Sequence, residues 1–454
     1  MKRIGTSIMF VAITLISQAQ TVYNLEDCRR LATTHNKEIL IAGENVKAAK
    51  NLQKAARTQY LPNFSANGTY FWNEKNLSLL SADAYLPVYA LSTTGLKPTY
   101  SYAYMPKSAF EFDIHNVFAG AVTMTQPIFT GGKIIQLNKI AKYNSKIAEA
   151  KYEGQTSDVI VETDEDYWRV VSLINKEKLA KSYVALLQKM DSDLEKSVAF
   201  GVATKSDGLS VKVKLNEAEM SLLQVENGLS LSKMALAQIC GLPLESDFTL
   251  ADENIKIEEI ATKPVIDKVG AIEKRYEIQS LKQGINIAEA NRKIMLSRFM
   301  PNAGLTAGYL VTNPNSFNGY SNSFGGMWQV GVAINIPIFH WGEKIYTLRA
   351  ATIEKKMAQY KLDEAREKIE LDITQASFKV SEAAKKVKMA KSNKDKAQEN
   401  LKYATIGFES GVISPSVLME AQTAWLKSNS EEIDAAIDAK LCDVRLQKAT
   451  GELK

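Results

Sequence analysis

KIIQLNKIAKYNSKIAEAKYEGQTSDVIVETDEDYWRVVSLINKEKLAKSYVALLQKMDSDLEKSVAF, residues 133–200, is a polar run of helical character without a single proline. A second run of the same kind spans Glu343 to Phe408. Each follows a short alternating stretch ending in a Pro-Ile-Phe step, Pro127-Ile128-Phe129 and Pro337-Ile338-Phe339. At about 1.5 Å per residue, such a helix is roughly 100 Å long. No compact core is that deep, so the helix needs partners along its whole side, as in a coiled coil or a tube of helices.

The two runs belong to a duplication. Pro127 and Pro337, Gly201 and Gly411, and Gly241 and Gly451 are each 210 residues apart. Pro62 and Pro301 are 239 apart, because the connection between the strands is 29 residues longer in the first copy. A fixed period at several landmarks marks an internal repeat. The expected division is a signal peptide at 1–19, a first repeat at 20–243, an acidic linker at 244–265 and a second repeat at 266–454.

Within each repeat the period of the apolar residues changes. Residues 24–59 read as a helix that Asn24 can cap, with Asp27 three positions on. From Phe64 the even positions are Phe64, Ala66, Gly68, Tyr70 and Trp72, against polar Asn63, Ser65, Asn67 and Thr69. Strands are expected at about 61–72, 119–130, 302–312 and 328–339. The last is the clearest, with Trp328, Val330, Val332, Ile334, Ile336 and Ile338 on one parity. Residues 73–118 read as a long Tyr-, Ser- and Pro-rich connection, and 266–298 as another helix. The long helices break at Phe200–Thr204 and Gly411–Pro415, and a returning helix closes each hairpin.

Composition narrows the class. Charged residues make up 24% and hydrophobic ones 45% of 454, with a net charge of +5. Lys and Glu alternate along the helices, which reads as solvated faces rather than a nucleic-acid surface. Lys2-Arg3, an apolar Ile8–Ile16 and small residues at Ser17-Gln18-Ala19 form a secretory signal, with Gln20 opening the mature chain. Cys28, Cys240 and Cys442 have no metal spacing and read as small apolar residues; an oxidising compartment leaves a bond between two of them open. His35, His115 and His340 have no ligand or nucleophile partner, and Gly131-Gly132-Lys133 lacks the rest of a phosphate loop. The chain is therefore read as no enzyme and as needing no cofactor or metal. The acidic patch Glu162, Asp164, Glu165 and Asp166 reads as a solvated helix face.

No stretch beyond residue 19 has eighteen apolar residues in a row. An exported chain of this kind meets a membrane only as a β-barrel. Four strands cannot close a barrel around a lumen, so several chains must share one.

At this point the chain resembles the TolC family of outer-membrane efflux and secretion channels. The resemblance covers nearly the whole mature chain. It is carried by the duplicated order of elements and by Thr125-Gln126-Pro127-Ile128-Phe129-Thr130-Gly131-Gly132 with its partner Asn335-Ile336-Pro337-Ile338-Phe339. The turns Phe200-Gly201-Val202 and Gly411-Val412-Ile413 add to it, with Gly241 and Gly451. It implies a mainly α protein with membrane β: a homotrimer whose twelve-stranded barrel, set in outer-membrane lipid, continues as a long periplasmic α-helical barrel. It implies a Gram-negative outer-membrane location, docking to a periplasmic adaptor, and an inner-membrane RND or ABC transporter.

The resemblance also places a pore constriction near the two helical turns. Its two acidic positions fall on Val417 and Glu420, of which only Glu420 is acidic, and its basic position falls on Ile413. Three copies of Glu420 form a charged ring that selects cations. Asp207 stands at the comparable place in the first hairpin. Gly201, Val202 and Ala203, with Gly411, Val412 and Ser414, are the expected adaptor-docking turns. The expected function is a passive duct for small molecules such as drugs. The alternatives are the outlet of a type I protein secretion system and a non-conducting structural coiled-coil protein of the envelope.

Overall fold

The computed structural model describes residues 21–201, 203–253 and 267–453. The signal segment 1–19, Val202 and most of the acidic linker lie outside the described residues. In chain order the elements are β1 (Thr21–Tyr23), α1 (Leu25–His35), α2 (Lys37–Thr58), β2 (Asn63–Trp72), β3 (Leu77–Ser78), β4 (Ala84–Ser92) and β5 (Gly95–Met105). A 3-10 turn (Lys107–Phe110), β6 (Glu111–Phe112), β7 (Asn116–Phe129), α3 (Lys133–Ala199) and α4 (Lys205–Ile239) follow. Then come β8 (Phe248–Leu250), α5 (Lys268–Lys274), α6 (Tyr276–Ser297), β9 (Asn302–Asn313), β10 (Gly325–Asn335), α7 (Glu343–Glu409) and α8 (Pro415–Ala449). The long helices α3 and α7 have 67 residues each, and the returning helices α4 and α8 have 35 each. Among the described residues no helix is long and apolar enough to cross a membrane.

The chain forms two units, one of the chain up to Ala48 with Lys146–Gln283 and Gln359–Lys454, the other of Ala49–Ser145 and Gly284–Ala358. In the first, α1, α3, α4, β8 and α8 share a core of Cys28, Tyr167, Val170, Val171, Leu236, Cys240, Phe248 and Ile437. The acidic patch of α3 is only in part the solvated face expected of it: Glu162 is exposed and Glu165 half-buried, but the two aspartates are not. Asp164 is fully buried and Asp166 nearly so. Asp164 accepts two hydrogen bonds from the Arg29 guanidinium, at 2.7 and 2.5 Å. Burial still outweighs this pairing and pushes the Asp164 carboxyl up, as a desolvated carboxylate should behave. Arg169 pairs with Asp166 at 2.7 Å and Arg445 with Glu165 at 2.7 Å. Helical period alone does not say which polar positions have an arginine from another element facing them.

Two expected helices are each divided in two. The first breaks at Asn36, whose amide donates to the Ile239 carbonyl at the end of α4 (3.3 Å). The second breaks at Arg275, whose guanidinium donates to the Lys448 and Ala449 carbonyls at the end of α8 (3.1 and 3.2 Å). Both side chains satisfy carbonyls that a helix C-terminus leaves without partners. The expected irregular linker also holds β8, which pairs in parallel with β1.

The second unit is built on a four-stranded antiparallel sheet, ordered β10-β9-β7-β2. Its register aligns the apolar parities of all four strands. Val332 opposes Leu305 and Trp328 opposes Tyr309; Tyr309 opposes Val122, and Val122 opposes Ala66. The other face carries Gln329, Gly308, Thr123 and Ser65 in line, with Ser65 and Thr123 hydrogen-bonded at 2.8 Å. The apolar side chains Phe64, Trp72, Trp328, Val330 and Ile334 are all exposed. Pro127-Ile128-Phe129 ends β7 with a bulge, whereas β10 stops at Asn335 before Pro337-Ile338-Phe339. The connection 73–118 has structure of its own: β4 and β5 form a hairpin and β3 pairs with β6. Gly131, in the turn before α3, has φ +60°, and a Cβ there would lie 2.7 Å from that of Met300. Only glycine fits that approach.

Candidate functional site: the two hairpin tips

The α3–α4 and α7–α8 hairpins turn in the same way. α3 ends with Gly201 at φ +73° and α7 with Gly411 at φ +71°. The Gly201 and Gly411 amides close back on the Val198 and Phe408 carbonyls, at 3.0 and 2.9 Å. Left-handed glycines that satisfy the last carbonyls are the common way for a helix to end. Nothing stands within 4 Å of the place where either glycine would carry a Cβ. Phe200 and Val412 beside them are 83% and 78% exposed. Both tips therefore present small or apolar residues to open space.

Behind the tips, all four helices contribute to one apolar cluster. Met190 and Leu194 of α3, Val211 of α4, Leu401 and Ala404 of α7, and Leu418 and Ala421 of α8 form it. Ala203 and Ile413 pack on its edge. The Ile413 side chain folds back over Gly407, where an added Cβ would meet it at 3.3 Å. Ile413 thus braces its own turn. Ion pairs frame the cluster. Lys212 of α4 meets Glu195 of α3 at 2.7 Å and holds that exposed carboxyl below its usual range. Lys189 of α3 reaches Glu409 of α7 at 3.7 Å.

The candidate constriction residues separate by role. Asp207 is committed to the start of α4. It accepts from the Thr204 hydroxyl at 2.6 Å and from the Thr204 amide at 3.1 Å, and its own amide donates to Thr204 at 3.2 Å. This is a capping box. Val417 and Glu420 lie one turn apart on the exposed side of α8, away from buried Leu418 and Ala421. Glu420 makes no ion pair among the described residues. Ser414 precedes α8 without a side-chain cap, and Pro415 takes the first helical position. Ser414, Gly411 and Gly201 are exposed and Ala203 is half-buried.

Two polar side chains here were not singled out from sequence. Trp425 donates its indole N–H to Gln398 at 2.6 Å, linking α8 to α7. Gln422 is buried, and its side-chain oxygen has no protein partner. Its signal was a polar residue at an apolar-period position, between Leu418 and Trp425. Among the described residues no three His, Cys, Asp or Glu stand together as metal ligands do.

Comparison with known proteins agrees with this geometry. The model of the outer membrane efflux protein family matches residues 29–242 and 269–452. The alkaline protease secretion protein AprF of Pseudomonas aeruginosa is 19% identical over 346 residues, covering 75% of this chain and 70% of that protein. Protein CyaE of Bordetella pertussis is 21% identical over 343 residues, covering 73% and 70%. The crystal structure of the Campylobacter jejuni CmeC outer membrane channel superposes with a TM-score of 0.75 at 16% identity, over 95% of this chain and 86% of that one. The chain belongs to the outer membrane efflux protein family, the TolC-type channels, and is an exit duct of the outer membrane.

Proposed function

We propose that three copies of this chain complete one twelve-stranded barrel, continued on the periplasmic side by a tube of helices, and that the assembly is a passive conduit for small molecules such as drugs. The observation that carries this reading is the sheet: four strands, one apolar exposed face, one polar face, and two edges, β2 and β10, without partners among the described residues. A lipid-facing edge leaves backbone groups unsatisfied, so each edge needs a strand from another copy. The mature chain divides into repeats at 20–243 and 266–454 behind a signal at 1–19.

The open tips at Gly201-Val202-Ala203 and Gly411–Ser414 dock a periplasmic adaptor, and the adaptor connects to an inner-membrane RND or ABC transporter that supplies the energy. Exposed Glu420, with Val417 one turn before it, rings the constriction in three copies. Asp207 and Ile413 support the turns from behind. A second reading, the outlet of a protein secretion system, is favoured by the relative named for alkaline protease secretion. A non-conducting structural role leaves the continuous apolar face of the sheet without a purpose.

The test is crosslinking in cells, followed by capture of the protein from envelopes and identification of its partners. An adaptor with a proton-driven pump supports small-molecule efflux. An adaptor with an ATP-driven exporter moves the assignment to polypeptide secretion or another drug route. Neither partner, together with no trimer, contradicts the duct.

A further inference from the structure

We propose that Cys28 and Cys240 are joined by a disulfide in the mature protein, tying the first helix of the chain to the end of the first hairpin. Both are almost fully buried, at 2% and 1% exposure, in the same apolar core. They stand 212 residues apart in sequence, yet the Cys240 sulfur lies 3.7 Å from the Cys28 carbonyl oxygen. The two thiols are also in contact. That contact, more than burial, raises Cys28 above the usual thiol range and lowers Cys240.

The backbones around them are held together independently of the sulfurs. Val22 opposes Thr249 in the β1–β8 pair, so the segment before Cys28 is fixed to the segment after Cys240. Asn36 at the end of α1 bonds the Ile239 carbonyl, one residue from Cys240. A Cβ on Gly241 would lie 2.5 Å from that of His35, so α1 and the end of α4 are in tight contact. Two cysteines brought together by fixed backbone on both sides are placed for a bond.

The compartment supplies the rest. An outer-membrane protein passes through the periplasm, where disulfides form and persist. The oxidant is a disulfide-carrying thiol oxidoreductase of that compartment. One cysteine thiolate attacks its disulfide to give a mixed disulfide. The second cysteine displaces the oxidoreductase thiol and forms the Cys28–Cys240 bond. Two protons and two electrons leave the chain, and the oxidoreductase ends as a dithiol. Because both sulfurs are buried in the finished core, the exchange precedes its closure. Cys442 is buried elsewhere, on α8, and its sulfur faces the Asp438 carboxylate at 3.9 Å. It remains a thiol and serves as the internal control.

The experiment uses the full chain, exported with its own signal and purified from envelopes. It is denatured under an alkylating agent, with or without prior reduction, and mapped by mass spectrometry. The expected result without reductant is one alkylated thiol per chain, on Cys442, and a peptide pair linked through Cys28 and Cys240; reduction raises the count to three. Three alkylated thiols without reductant, or a linkage through Cys442, overturns the proposal. A Cys28→Ser variant gives a second reading: alkylation without reductant then finds both Cys240 and Cys442. If Cys240 is still protected after denaturation, its partner is not Cys28.

Discussion

Asp207 caps α4 through Thr204, with a hydroxyl-to-carboxylate hydrogen bond of 2.6 Å, whereas the residues 210 positions on, Ser414 and Val417, make no such pair. The duplicated hairpins have therefore diverged at the same point of their turns. One starts its returning helix with a capping box; the other starts it with a proline. The resemblance offers Asp207 for a constriction, but its carboxylate is already hydrogen-bonded to the Thr204 hydroxyl and amide. Asp207→Ala is expected to cost about 1 kcal/mol, the usual worth of such a cap, and to leave ion selectivity unchanged. Thermal unfolding and single-channel recording on the same preparation check the two halves of that statement.

Glu420→Gln is expected to do the reverse. Glu420 is exposed on α8 and holds no ion pair among the described residues, so its loss should leave stability within about 0.5 kcal/mol. In a planar bilayer, cation preference should fall and block by divalent cations should weaken. Unchanged selectivity would remove Glu420 from the constriction.

Gly411 adopts φ +71° with open space around it. A bulky residue there strains the backbone by about 1–2 kcal/mol but meets no neighbour inside the chain. Gly411→Leu should therefore still assemble, while substrate export drops because the added bulk stands on the proposed docking surface. Normal export by an assembled variant would show that the turn is not a docking element.

Arg29→Ala leaves the buried Asp164 carboxylate without its partner. A broken buried pair costs about 3–5 kcal/mol, so a clear fall in the thermal unfolding temperature is expected. The double change Arg29→Ala with Asp164→Asn should recover part of it, since no charge is then left buried. Equal loss in the single and double variants would argue against the ion pair as the cause.

Glu289 of α6 is one source of acid sensitivity. Arg292 bonds Glu289 at 2.8 and 3.0 Å and Lys355 approaches at 3.2 Å. They hold the Glu289 carboxyl at about 2, against an ordinary 4.5, with the Arg292 hydrogen bond first among the causes. A depressed carboxyl stabilises the folded state above its unfolded value and loses that contribution as pH falls from about 4.5 towards 2. The side chain is a quarter exposed, so solvent screening limits the contribution to about 1 kcal/mol. Glu289→Gln should lower stability at pH 7 by that amount and flatten this part of the acid limb.

The long helices were legible because nothing but local pattern was needed: unbroken polar-apolar period, a glycine at each end, and a second copy to check against. The strands were legible because lipid and lumen impose strict alternation. What escaped depends on distant partners. Asn36 and Arg275 break helices with neither glycine nor proline, because each reaches a carbonyl that another helix leaves open. Asp164 looked solvated because Arg29 is 135 residues away. The β4–β5 hairpin was hidden by its composition: Tyr85, Leu86, Val88, Tyr89 and Leu91 are apolar on both parities, so no alternation marks it. At the tips, the turns could be found from sequence, but the capping role of Asp207 and the inward fold of Ile413 required coordinates.

A closed barrel requires β10 of one copy to continue into β2 of the next. The internal repeat supplies the register. Val122 opposes Tyr309 within the chain, and the 210- and 239-residue steps carry that pair onto Val332 and Tyr70 of neighbouring copies. The decisive measurement is thiol crosslinking of the paired variant Val332→Cys with Tyr70→Cys in intact envelopes, read on a denaturing gel. Linked dimers and trimers that stop at three are expected, absent from either single variant. Monomers alone, or a ladder that runs past three, would rule out this pairing of β10 with β2.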